Sequence, residues 1–208
     1  MHTKPGDIER TSLSIIRREL EARGIVLPEE TAAVVKRVIH ATADLDYAEN
    51  LRFTDGAVAR GVEALRRGRT LVTDTNMALA GVSKPALSKL GGKALCLMAE
   101  PAVAAEARER ETTRAAVSME RAAKLPGRVI LAIGNAPTAL IRACEMVEAG
   151  EFAPELIIGA PVGFVNVVES KERIIEAAAA PYIVSRGRKG GSNVAAAICN
   201  AMLYQIRR

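Results

Sequence analysis

The stretch VILAIGNAPTAL, residues 129–140, decides how the fold is read. It opens as an unbroken apolar run, turns sharply from Gly134 to Pro137, and continues as a helical stretch. Four other short apolar runs take the same form: TLVTD from Thr70, ALCLM from Ala94, LIIGA from Leu156 and YIVS from Tyr182. Apolar runs without alternation belong to strands buried on both faces, and helical segments between them suit right-handed crossovers in a parallel sheet. The expected architecture is a doubly wound, flavodoxin-like three-layer α/β/α sandwich around a mostly parallel five-stranded sheet. Helices precede the sheet, over residues 7–22 with Asp7 as N-cap, over 28–42 entered through Pro28 and two glutamates, and over 55–67.

The 208 residues form one domain spanning 1–208, since nothing in the middle of the chain has linker composition. With 49% hydrophobic residues, 3% aromatics and no tryptophan, the core is aliphatic and alanine-rich. A chain of this length buries about 70% of its unfolded surface and needs no disulfide or structural metal. The three cysteines, Cys96, Cys144 and Cys199, each lie in an apolar element, an odd number that fits a reducing cytoplasm. No secretory signal opens the sequence and no apolar run is long enough to span a membrane. The net charge of +5 favours anionic partners, but nucleic acid is not expected, because aromatic stacking platforms are scarce and no binding signature is present.

An open parallel sheet binds ligands beyond the carboxyl ends of its strands. The loops there read DTNMALAG from Asp74, GNAPTA from Gly134, GAPVGFVN from Gly159 and SRGRKGGSN from Ser185. None matches a dinucleotide or P-loop fingerprint, so each alone reads as a tight βα turn as readily as an anion site. Asp74 at the end of its strand raises a receiver-domain reading, which the missing acidic pair argues against.

Only two histidines occur, His2 at the start and His40 within KRVIHATAD, residues 36–44. On a helix, Val34, Val35, Val38, Ile39 and Thr42 share one face and His40 points away from it. Arg37, three residues earlier, and Asp44, four later, fall on its stripe, where a guanidinium and a carboxylate would poise the imidazole between proton donor and acceptor. A solvated face with an incidental histidine is the plain alternative. No second histidine or thiolate stands at zinc-ligand spacing, and no GxSxG nucleophile motif is present. One acid–base residue without a partner nucleophile suits an isomerisation.

KRVIHATADLDYAENLRF, VTDTNMALAG, GNAPTAL, GAPVGFVNVVESKE and PYIVSRGRKGGSNVAAAICNAM, in this order, resemble the motifs of the precorrin-8X methylmutase family over nearly the whole chain. The opening MHTKPGD departs from the family, which often begins with a tyrosine- and arginine-containing run. The resemblance implies migration of a methyl group from C-11 to C-12 of a corrinoid, giving hydrogenobyrinic acid or its cobalt-containing counterpart in cobalamin biosynthesis. It implies a homodimer with active sites near the interface and no added cofactor; no metal site is expected, on the ligand spacing above. It puts the catalytic histidine at His40 and substrate-contacting residues at Ser12 and Arg114, with Arg37 at the family's spacing before the histidine. Arg186, Arg188, Lys189 and the amides of Gly190 and Gly191 are suited to clamp the carboxylates of the tetrapyrrole periphery, with Asn135 and Ser192 as further binding residues that also suit helix capping. A non-catalytic corrinoid-binding or carrier module is the alternative reading.

Overall fold

The computed structural model describes residues 4–206, so His2 lies outside the described residues. In chain order the elements are α1 (Pro5–Ala22), α2 (Glu29–Thr42), α3 (Tyr47–Asn50), β1 (Leu51–Phe53), α4 (Ala57–Arg66), β2 (Leu71–Thr73), α5 (Asn76–Gly81), α6 (Lys84–Ser88) and β3 (Ala94–Leu95). There follow α7 (Pro101–Glu109), α8 (Arg114–Ala123), β4 (Ile130–Ile133), α9 (Pro137–Glu148), β5 (Leu156–Gly159), α10 (Val167–Ala177), β6 (Tyr182–Ser185) and α11 (Ser192–Ile206). The strands form one sheet in the order β1-β6-β5-β4-β2-β3, parallel except for β1, which runs antiparallel to β6.

The sheet is a three-layer sandwich because its central strands are apolar on both faces. Ile130 and Ala132 of β4 point into a core shared with α1, α2, α4 and α11, while Leu131 and Ile133 point into one shared with α8, α9 and α10. All four are completely buried. The expected five parallel strands are present, with a sixth added. Only Leu51 of β1 is buried, and its three residues pair with β6 from Leu51↔Ser185 to Phe53↔Ile183, too short and too exposed for a period to show. The third strand shrinks to Ala94–Leu95, as an edge with one neighbour leaves Cys96 to Met98 outside the ladder.

Asp7 is not the N-cap of α1. Lys4 is, and Asp7 sits in the first turn, where a carboxylate complements the helix dipole. The turn that matters for the site ends α2. Ala43 adopts a left-handed conformation (φ 54°) and its N–H bonds to the Ile39 carbonyl, closing the helix just after Thr42. Asp44 is therefore thrown off the helical stripe of Arg37 and His40.

The strand order reverses between β2 and β4, the topological switch point where α/β folds open a ligand crevice. Here Asp74, only 1% exposed, fills it. Its Oδ1 accepts the Gly134 N–H at 2.9 Å, and its Oδ2 accepts those of Asn135 at 2.8 Å and Ala136 at 2.7 Å. Burial pushes this carboxyl above its ordinary value, against the three amides that favour its charge. The amides ahead of α9 thus have an internal anion, and Asp74 is enclosed as a structural cap and cannot serve as a phosphate acceptor.

Candidate active site

Helices α1 and α2 lie against each other and bring Ser12 to His40. Ser12 Oγ stands 2.7 Å from His40 Nδ1, and both side chains are half-buried. They share the wall of an open cavity of about 540 Å³ with Ile8, Ile15, Ile39 and Leu45, while Thr11 and Glu19 add polar groups. Ile8 and Ile15 are 48% and 40% exposed, an unusual cost for α1 unless something apolar covers that lip. With the serine hydroxyl donating to Nδ1, the imidazole carries its proton on Nε2. With Nδ1 protonated, the same oxygen accepts. One partner thus orients both states of a proton carrier.

Arg37 and Asp44 do not make the contacts to His40 that the helical stripe predicts. The Arg37 guanidinium bonds Glu9 Oε1 at 2.5 Å and lies 5.0 Å over the Tyr204 ring, fastening α2 to α1 and α11. Asp44 is claimed by Lys189, whose Nζ lies 2.7 Å from Asp44 Oδ2 and 2.6 Å from Asp46 Oδ2. The hydrogen bond from Lys189 holds the Asp44 carboxyl below its ordinary value, and the two carboxylates raise Lys189 above its own.

The remaining predicted residues fall into two groups. Arg186 pairs with Glu172 at 2.8 Å, and Ser192 Oγ lies 2.8 Å from Thr75 Oγ1. The Asn135 backbone N–H donates to Asp74 while the residue is exposed, and its side chain does not cap α9, whose N-cap is Ala136 without a side-chain cap bond. The Gly191 N–H donates to Ala160 O at 2.8 Å and is not free to clamp a ligand. Gly190 is required by packing, since a Cβ there would collide with the carbonyl oxygens of Ala160 and Pro161. Arg188 lies 5.2 Å over the Phe164 ring without an acidic partner among the described residues.

Arg114 stands apart. It opens α8, where Thr113 Oγ1 accepts the Ala116 N–H and donates to Thr138 Oγ1. It lines a second hollow of about 330 Å³ with Arg108 and Thr112, which shares no residue with the His40 cavity. Among the described residues neither Arg108 nor Arg114 has a carboxylate partner, in a molecule where most other arginines of α7 to α10 do. Arg108 carried no signal in the sequence, being one basic residue in a charged helical run. The described residues include no cluster of three or more histidine, cysteine or acidic side chains placed to hold a metal, and no helix long and apolar enough to cross a membrane.

The sequence profile described as precorrin-8X methylmutase matches residues 7–205. A cobalt-precorrin-8 methylmutase of Priestia megaterium is 39% identical over 199 residues, 96% of this chain and 87% of the relative. A precorrin-8X methylmutase of Pseudomonas aeruginosa is 43% identical over 197 residues, covering 94% of this chain and 93% of the relative. The crystal structure of precorrin-8X methylmutase from Thermus thermophilus superposes with a TM-score of 0.86 at 35% identity, over 96% of this chain and 97% of that one. The chain belongs to the precorrin-8X methylmutase family, isomerases that shift a methyl group.

Proposed function

We propose that this chain moves a methyl group from C-11 to C-12 of precorrin-8X or cobalt-precorrin-8 in cobalamin biosynthesis, with His40 as general acid and base. The observation that carries this reading is the Ser12–His40 contact of 2.7 Å on the wall of a large, mostly apolar cavity. A [1,5] methyl shift breaks the C-11–methyl bond as the C-12–methyl bond forms and needs no outside nucleophile. It needs electron withdrawal from the conjugated ring, which a proton or hydrogen bond at a ring nitrogen supplies. Help of this kind is worth about 10² to 10⁴ in rate, and positioning of the rigid macrocycle supplies much of the rest. When cobalt occupies the ring nitrogens, His40 acts at another atom of the substrate.

Isoleucines at the cavity lip suit a flat apolar ring, and Arg114, Arg188, Lys189 and Arg186 suit its peripheral carboxylates. Lys189 and Arg186 exchange internal carboxylates for those of the substrate. Asn135 and Ser192 contact substrate less directly, since the Ser192 hydroxyl is already engaged. The active form is a homodimer with its site near the interface. In support, Met77 at the start of α5 is 74% exposed, and Val162, Phe164 and Val165 in the loop after β5 are 46%, 79% and 77% exposed. The enzyme works in the cytoplasm, in keeping with three free thiols, and without an added cofactor.

The test is a visible-absorption assay with each substrate, using wild type and His40→Ala. The expected result is conversion by the wild type and a loss of at least about a hundredfold in turnover with affinity retained in the variant. Turnover by His40→Ala at the wild-type rate overturns the role of the histidine. A wild type that binds both corrinoids and converts neither is a carrier.

A further inference from the structure

The loop over residues 186–191 is built around an internal cation. Lys171, on α10, is completely buried and is the bulkiest of the fully buried side chains. No carboxylate forms an ion pair with it among the described residues; instead its Nζ donates to Gly187 O at 2.7 Å and to Lys189 O at 2.8 Å. Ser185 Oγ adds a second donor to the Lys189 carbonyl at 2.7 Å, while the Gly163 N–H of the neighbouring loop donates to the Arg188 carbonyl at 3.2 Å. Lys171 thus draws two alternate carbonyls, 187 and 189, inward.

A planar trans peptide points its N–H opposite to its carbonyl. Inward carbonyls at 187 and 189 therefore turn the N–H groups of Arg188 and Gly190 away from Lys171. Neither amide has an acceptor among the described residues. Outward backbone amides form an anion-binding surface, and here the Arg188 and Lys189 side chains belong to the same loop. An isolated ammonium is costly to bury, and a loop that needed only to be closed could have been closed with apolar packing. The cation is the device that fixes this polarity.

We propose that Lys171 is a positioning residue of the substrate site, holding the 187 and 189 carbonyls inward so that the amides of residues 188 and 190 receive a carboxylate of the corrinoid periphery. This rests on the corrinoid reading above. Lys171 touches no substrate. Its loss disorders the amide surface while leaving Ser12 and His40, on α1 and α2, in place.

The experiment measures kcat and KM of Lys171→Met with the corrinoid that the wild type converts, and amide exchange at Gly163 and Gly191, whose N–H groups bond Arg188 O and Ala160 O. The expected result is a KM raised about tenfold with kcat within about threefold of wild type, and faster exchange at those two amides. A purely structural lysine would lower the melting temperature and the active fraction and leave KM alone. Should Lys171→Met fail to fold, Ser185→Ala removes the other donor to the Lys189 carbonyl, with KM expected to rise about threefold. Wild-type KM in whichever variant folds overturns the inference while the function stands. A wild type that neither binds nor converts a corrinoid overturns both.

Discussion

Replacing Asp74 with asparagine tests the claim that the switch point is closed by a structural carboxylate. Its two oxygens accept three buried or half-buried N–H groups, one on Oδ1 and two on Oδ2. Asparagine keeps one oxygen. If that oxygen takes the Oδ2 position, the bonds to Asn135 and Ala136 survive and the new amide group confronts the N–H of Gly134. A hydrogen bond to a charged group contributes about 1.5–3 kcal/mol, and a buried donor without an acceptor costs about 1–3 kcal/mol. Relief from burying a charge offsets part of this, as the upward push on the Asp74 carboxyl shows. The net loss expected for Asp74→Asn is about 2–3 kcal/mol, a fall in melting temperature of about 5–10 °C for a chain of this size. Asp74→Ala strands all three donors and is expected to lose about 4 kcal/mol. Urea unfolding followed by far-ultraviolet circular dichroism reads both. If Asp74→Asn unfolds within about 0.5 kcal/mol of wild type, the carboxylate is not what joins β2 to the start of α9.

Ser12→Ala leaves His40 without its Nδ1 partner, and turnover is expected to fall about tenfold to a hundredfold, with product affinity nearly unchanged by absorption titration. Burial pushes the thiols of Cys144 and Cys199 up to about 12, so an aromatic disulfide reagent on the native protein is expected to leave both unmodified until denaturant is added. Ala178 closes α10 at φ 44°, exposed and away from the cavity, and Ala178→Gly is expected to raise stability by about 0.5 kcal/mol in urea unfolding. Burial lowers Lys171 from 10.5 to about 8, so the unfolded chain holds this proton more tightly. The penalty is present below pH 8 and relieved between about 8 and 10.5, and the wild type is expected to gain stability there relative to Lys171→Met. A flat difference between the two unfolding curves over that range would contradict it.

The parallel strands were legible because burial on both faces removes the polar alternation and leaves unbroken apolar runs, so VILAIG and LIIGA stand out at a glance. An edge has no such mark. LRF at 51–53 carries one buried residue and takes its identity from the neighbour β6. His40 was legible from its angle on α2, but its environment was not. Asp44 would share the His40 stripe only if the helix went on, and α2 stops at a left-handed alanine, a residue with no stop signal of the kind glycine gives. The true partner, Ser12, lies on another helix, 28 residues away, where no local period reaches.

Charge shows the same limit more sharply. In the sequence Arg37, Arg114, Arg186, Arg188 and Lys189 are five equal cations available to an anionic ligand. In the fold Arg37 is fastened to Glu9, Arg186 to Glu172, and Lys189 to Asp44 and Asp46, while Arg114 and Arg188 face no acid among the described residues. A ligand carboxylate meets the last two without displacing anything, but must compete with an existing ion pair for the other three. Exposed pairs are weak, about 0–1 kcal/mol, so exchange at Lys189 or Arg186 is affordable for a multiply charged substrate. Arg37, with a side chain only 16% exposed and an aromatic ring beneath it, is not exchanged at that cost. Which cations bind substrate is thus set by the acids that the fold brings to them, a property of no single segment of the chain.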